Sequence, residues 1–201
     1  AFICVSKRVY DAQIIDDIAH KYHLVYNGVN TQRFPEIVSE SISTSPFIVG
    51  YAGRIIENKG IFELLDAIRM IHSETDDIQL VLVGDGKPAD IERMHQYIAK
   101  HTMQDYVQYV GFQKDMNRFY RSIHCLVAPS KVQEAFGLVL CEAMYCKVPV
   151  ITSTSGAQAE IIDNGVSGIL IDTVTSESIA EAIQSIKKDS ILKAAMISEG
   201  Y

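Results

Sequence analysis

Apolar residues follow two alternating rhythms along the chain. Short continuous runs rich in β-branched residues, such as 47–51 and 78–83, predict strands buried on both faces. Between them, residues 60–73 place Ile61, Leu64, Leu65, Ile68 and Ile71 at the spacing of one helical stripe. Further strands are expected at 2–6, 23–26, 106–110, 125–128, 148–152 and 168–171. Helices are expected from Lys7 to about Tyr22 and at 88–101, 116–121, 138–146, 157–162 and 176–186, with Pro88 suited to a first turn. The stretch from Val29 to Pro46 has neither rhythm and reads as a linker.

Buried strands separated by helices predict an α/β fold, a Rossmann-like parallel sheet with helices on both faces. In such sheets ligands bind beyond the carboxyl ends of the strands. That rule singles out the loops 53–59, 84–87, 111–114, 129–136, 153–156 and 172–175.

The first loop runs Gly53-Arg54-Ile55-Ile56-Glu57-Asn58-Lys59-Gly60. An arginine that forks onto phosphate oxygens and a lysine that adds a point charge suit a phosphorylated ligand. Two solvated surface cations are the plain alternative. The second loop, Gly84-Asp85-Gly86-Lys87, lacks the third glycine of a dinucleotide fingerprint, and a tight strand-to-helix turn is enough to explain it. The third holds Glu134 just before a helix start at Gly137-Leu138, with Glu142 eight positions after Glu134. A helix N-terminus suits a diphosphate, and its dipole alone accounts for Glu134. Glu142 lies roughly 7 Å along the axis from the helix start, too deep for that explanation. Between Val139, Leu140, Cys141 and Ala143, Met144, its carboxylate needs hydrogen bonds, from a polyhydroxyl ligand or from a structural ion pair.

Composition narrows the classes. The chain of 201 residues is 48% apolar and 21% charged, ordinary for a globular protein. No apolar stretch is long enough to cross a bilayer, and Lys7 and Arg8 follow the apolar opening, so no leader peptide is expected. A net charge of −7 argues against a general grip on nucleic acid. The cysteines, Cys4, Cys125, Cys141 and Cys146, make no Cys-x-x-Cys pair and read as small buried hydrophobes in a reducing compartment. The histidines form no ligand-like cluster, and His124 reads as structural. Asp-x-Asp is absent, so no metal clamp and no cofactor are expected. Nor is there an acidic cluster of the kind a phosphoacceptor module needs.

In order, the motifs are Gly-Arg, four residues, Lys-Gly; Val-Gly-Asp-Gly; and Pro-Ser-x-x-x-Glu-x-Phe-Gly with a second glutamate eight after the first. Together they resemble the retaining glycosyltransferases of family 4, which have the GT-B fold of two Rossmann-like domains around a cleft. The resemblance runs from about Ser6 to Ile186. Val25-Tyr26-Asn27-Gly28-Val29-Asn30 with Phe34 is similar to the segment that closes the family's N-terminal domain. The implied organisation is an acceptor-domain remnant at 1–30, a linker at 31–46 and a donor-binding domain at 47–201. Ala135 stands where the family often has glycine or proline.

The resemblance implies catalytic roles for Arg54 and Lys59 on the donor diphosphate and for Glu134 on the sugar hydroxyls. It implies donor contacts from Gly53, Gly84, Phe136, Gly137, Leu138 and Val139, ribose contacts from Glu142, and a place for Phe112, in the loop 111–114, beside the nucleobase. The implied reaction moves a hexose, with retention, from a nucleotide diphosphate sugar to an acceptor hydroxyl. Family frequency favours a UDP-sugar, and surface polysaccharide or lipopolysaccharide assembly in the cytoplasm is the commonest setting. The acceptor, a saccharide or lipid-linked molecule, and any membrane association would depend on the missing N-terminal domain. A non-catalytic nucleotide-sugar-binding module is the alternative.

Overall fold

The computed structural model describes residues 1–35 and 45–201, so positions 36–44 of the expected linker lie outside the described residues. Strands β1 (Phe2–Cys4) and β2 (Tyr22–Leu24) pair in parallel, with helix α1 (Lys7–Gln13) between them in sequence. The single helix expected from Lys7 to about Tyr22 is instead broken. It ends at Ile14, which is extended, and a 3-10 helix follows at Asp16–Lys21. Two adjacent β-branched residues, Ile14 and Ile15, favour the extended backbone, and Asp16 and Asp17 compete for nearby backbone groups. Ser6, expected to end a strand, caps α1 by accepting from the Val9 N–H.

The main sheet has six parallel strands in the order β5-β4-β3-β6-β7-β8. They are β3 (Phe47–Ala52), β4 (Ile78–Val83), β5 (Val107–Gly111), β6 (Cys125–Ala128), β7 (Val150–Ser153) and β8 (Ile169–Ile171). Helices α2 (Ile61–Glu74), α3 (Pro88–Lys100), α4 (Met116–Tyr120), α5 (Leu138–Tyr145) and α6 (Ser176–Lys188) connect them or follow them. Residues expected to form a helix at 157–162 make a 3-10 helix, Ala157–Glu160.

Alternation along each strand divides the core between two faces. Val49, Tyr51, Leu80, Leu82, Val127 and Ile151 point to one face, packed with Leu64, Ile68, Ile179 and Ile183 of α2 and α6. Ala52, Val83, Leu126 and Val150 point to the other, with Phe119, Tyr120, Leu140 and Ala143 of α4 and α5. The sheet is therefore covered by helices on both faces, as the continuous apolar runs implied. Phe34, from the expected linker, is buried in the second core beside the rings of Tyr120 and Tyr145.

Helix α7 (Ser190–Gly200) was not legible in the pattern. It buries only Met196, and its start is fixed by the Asp189 carboxylate, which accepts from the Ile191 and Leu192 N–H groups. His124 is structural, as expected. It is buried, stacks on Phe47, and its Nδ1 accepts from the Ile48 N–H at 2.8 Å. Cys4, Cys125 and Cys146 are buried and all four cysteines are free thiols.

One carboxylate on the 3-10 helix Ala157–Glu160 helps tie the N-terminal piece to the rest of the chain. Glu160 accepts from the Lys7 and Arg8 N–H groups, each at 2.7 Å, and from the Tyr26 hydroxyl at 3.1 Å. Among the described residues no helix is long and apolar enough to cross a membrane.

Candidate functional site

A cleft with two lobes opens at the carboxyl ends of the central strands. The smaller, about 200 Å³, is lined by Lys59, Glu134, Gly137, Leu138, Thr152 and Gln158, among others. The larger, about 540 Å³, is lined by Arg33, Gly84, Phe112, Lys114 and Glu142, among others. Ala52, Gly53, Arg54 and Val139 belong to both, so the end of β3 and the start of α5 form the wall between the lobes.

That wall is built from the strand ends. Tyr51 is buried, and its hydroxyl donates to the Arg54 carbonyl at 2.7 Å, pinning the turn that carries Arg54. Burial, and then the charge of Glu134, raise the Tyr51 phenol above its ordinary range, so it stays a donor at neutral pH. The next loop is stitched to this one. Gly53 N–H donates to the Val83 carbonyl and Ile55 N–H to that of Asp85. Gly84 sits at φ +144°, where a Cβ would fall 1.8 Å from the Gly53 carbonyl oxygen. Only glycine lets the two loops approach this closely.

In the smaller lobe, Lys59 and Glu134 form an ion pair with both side chains largely buried. Lys59 closes a short 3-10 helix, Glu57–Lys59, before α2. The Glu134 loop is held by Ala157 N–H donating to the Glu134 carbonyl at 3.0 Å and by the Ser155 hydroxyl, which reaches the carbonyls of Ser130 and Val132. Gly137, at φ +117°, turns the chain into α5, whose start carries no side-chain cap. Its first N–H groups are therefore open to an anionic ligand.

In the larger lobe, Glu142 is 7% exposed. The Tyr120 hydroxyl donates to its Oε2 at 2.9 Å, and Arg33 Nη1 stands 3.8 Å from its Oε1. The hydrogen bonds that this carboxylate was expected to need are thus met within the chain on one oxygen, with a cation near the other. Burial and then Glu142 itself push the Tyr120 phenol well up, which keeps it protonated as the donor. Among the described residues no group of three or more His, Cys, Asp or Glu is placed to hold a metal.

Every residue to which the resemblance assigns a site role lines one lobe or the other, except Phe136. Its ring is buried and faces Tyr26, with ring centroids 6.2 Å apart. Arg33, Tyr51, Thr152 and Gln158 also line the lobes and Tyr120 holds Glu142 from behind, and the sequence pointed to none of the five. The two tyrosines carry no local signal, because their periodicity is that of core positions. Arg33 sits in the segment read as linker, and Gln158 is one polar residue in a short turn.

The family model for glycosyl transferases group 1 matches residues 33–201. The capsular polysaccharide biosynthesis glycosyltransferase CapM of Staphylococcus aureus is 27% identical over 87% of this chain and 47% of its own length. The lipopolysaccharide 1,2-N-acetylglucosaminetransferase of Salmonella typhimurium is 32% identical over 74% of this chain and 41% of its own. Anabaena HepE, solved in complex with UDP and glucose, superposes with a TM-score of 0.87 at 26% identity, over 98% of this chain and 56% of that one. The chain spans about half the length of the curated relatives it matches. Its sheet and helices are those of a Rossmann-like domain of GT-B glycosyltransferases. By the match of its sequence over residues 33–201, the chain belongs to the group 1 glycosyl transferases.

Proposed function

We propose that the chain is the donor-binding half of a retaining, family 4 hexosyltransferase. It would move a hexose from a nucleotide diphosphate sugar, with UDP as the favoured nucleotide, to an acceptor hydroxyl in surface polysaccharide or lipopolysaccharide assembly. Residues 1–30 are then the end of an acceptor-side domain, and the protein works in the cytoplasm or at the inner face of the membrane. The observation that carries this reading is the division of the cleft. Lys59 and Glu134 line one lobe and Glu142 the other, with Arg54 and the uncapped start of α5 between them. That order matches sugar, diphosphate and ribose. The likeness to HepE, solved with UDP, supports the nucleotide.

On this reading the larger lobe takes the nucleoside, with Glu142 accepting from ribose hydroxyls and Phe112 and Lys114 beside the base. Arg54 and the α5 amides take the diphosphate. Lys59 exchanges part of its bond to Glu134 for a phosphate oxygen, and Glu134 turns to a sugar hydroxyl. When the bond between C1 and the β-phosphate oxygen breaks, the electron pair leaves with the diphosphate. Arg54 and Lys59 stabilise that charge, and the departing phosphate takes the acceptor's proton as its oxygen bonds C1 from the same face. Fixed charges aimed at the leaving group are the main contribution of the chain.

Calorimetry with UDP, GDP and ADP tests the donor site, with UDP expected to bind most tightly. No heat from any of the three in a folded sample would count decisively against it. Transfer by the full-length protein, lost in Lys59→Ala, separates an enzyme from a non-catalytic binding module.

A further inference from the structure

Three side chains hold a buried polar atom without a partner among the described residues: Glu63, His72 and Gln158. Glu63 and His72 lie on α2, where Glu63 pairs with Lys131 through its other oxygen and His72 stacks on Tyr106. Neither lines the cleft. Gln158 does, in the smaller lobe beside Glu134, and it is only 1% exposed.

Several other polar groups of that lobe are engaged, while Arg54 and the first amides of α5 are donors suited to phosphate. The Thr152 hydroxyl donates to the Ala128 carbonyl at 2.8 Å, that of Ser130 to Val132, and that of Tyr51 to Arg54. Lys59 and Glu134 hold each other. The Gln158 amide oxygen is left as a buried acceptor, a costly arrangement unless a ligand completes it. We propose that Gln158 is a specificity residue, whose amide reads a hydroxyl of the transferred sugar. The assignment rests on the donor-site reading above and deepens it.

The chemistry favours the sugar over the diphosphate. A carbonyl oxygen repels phosphate oxygens, and Arg54 and Lys59 supply the cations that phosphate requires. A hydroxyl both donates and accepts, which matches a primary amide carrying one acceptor and two donor hydrogens. A site built to bond a hydroxyl rejects ligands that lack it far more strongly than an apolar pocket does, because the protein group is then stranded.

The test compares UDP with UDP-glucose, UDP-galactose and UDP-N-acetylglucosamine by calorimetry, on the wild type and on Gln158→Met. The wild type should prefer at least one UDP-sugar to UDP. The variant should bind UDP within twofold of wild type but lose about tenfold of that preference, the scale of one buried hydrogen bond. Its ligand-free melting temperature should rise, because a stranded acceptor has been replaced by an apolar group of similar length. A merely structural glutamine would give a lower melting temperature and parallel losses for all ligands, which overturns the proposal. So does an unchanged preference, or a wild type that binds UDP but favours no sugar. A wild type that binds none of the four overturns the donor-site reading and this assignment with it. If Gln158→Met does not fold, Gln158→Asn, which withdraws the amide by one methylene, should show the same selective loss.

Discussion

Tyr120 donates its hydroxyl to Glu142 across 2.9 Å, joining α4 to α5 inside the second core. A buried carboxylate stripped of that bond retains, among the described residues, Arg33 at 3.8 Å and half exposed. Tyr120→Phe should therefore cost about 1–3 kcal/mol in urea unfolding, the price of an unsatisfied buried group. UDP affinity should fall as well, because Glu142 loses its fixed orientation. A variant with wild-type stability and affinity would show that the bond does neither job.

Lys59→Ala removes the cation and leaves Glu134 unpaired. UDP affinity should drop roughly tenfold or more, the scale of a charge-assisted hydrogen bond. Calorimetry on the folded variant measures this, and full UDP affinity would take Lys59 out of the diphosphate site.

Gly84→Ala places a methyl group against the Gly53 carbonyl at a backbone angle that disfavours side chains. We expect a loss of about 1–3 kcal/mol from backbone strain alone. The wall between the lobes should shift with it, weakening UDP binding. Urea unfolding and calorimetry on the same preparation read both effects.

The architecture was readable because its signals are local. The continuous apolar runs of β3 and β4, whose residues Val49, Tyr51, Ala52, Leu80, Leu82 and Val83 divide between the two cores, are written into adjacent positions. The charged site residues were readable for a related reason, since Arg54, Lys59, Glu134 and Glu142 fall in or just after the loops that follow buried strands. What supports them was not readable. Tyr120 meets Glu142 from 22 positions away, and nothing local distinguishes it from an ordinary core aromatic. Arg33 reaches Glu142 from the segment that reads as a linker, and α7 is too weakly amphipathic to stand out. Residues that bear charge announce themselves by type, whereas those that position them are identified only once the chain is folded.

Alkaline pH should destabilise the fold. A free thiol ionises near 9.0, whereas burial pushes Cys125 up to about 12 and Cys146, partly offset by Arg121, up to about 11. Both are raised, so their contribution is intact below pH 9.0 and is lost as pH climbs towards those folded values. Cys125 alone adds a slope of up to about 1.4 kcal/mol per pH unit in that window. Urea titrations above pH 9.0 should show the decline, with a shallower slope in Cys125→Ala. Equal slopes in the two proteins would exclude Cys125 as a source.

Glu160→Ala should free the first segment of the chain. Amide exchange at Lys7 and Arg8 should quicken, and protease should cut around Gln13–Asp16 several-fold faster. Unchanged exchange at both amides would show that other contacts hold α1 in place.

Tyr26 meets Glu160 through its hydroxyl and Phe136 through its ring. Phe136 is two residues from Glu134, so the brace for the Glu134 loop begins well before residue 33, where the family match starts. Trimming the chain to that match would keep every charged group of the cleft and discard the strut behind one of them. The boundary that identifies this domain and the boundary that keeps its cleft in shape fall at different residues.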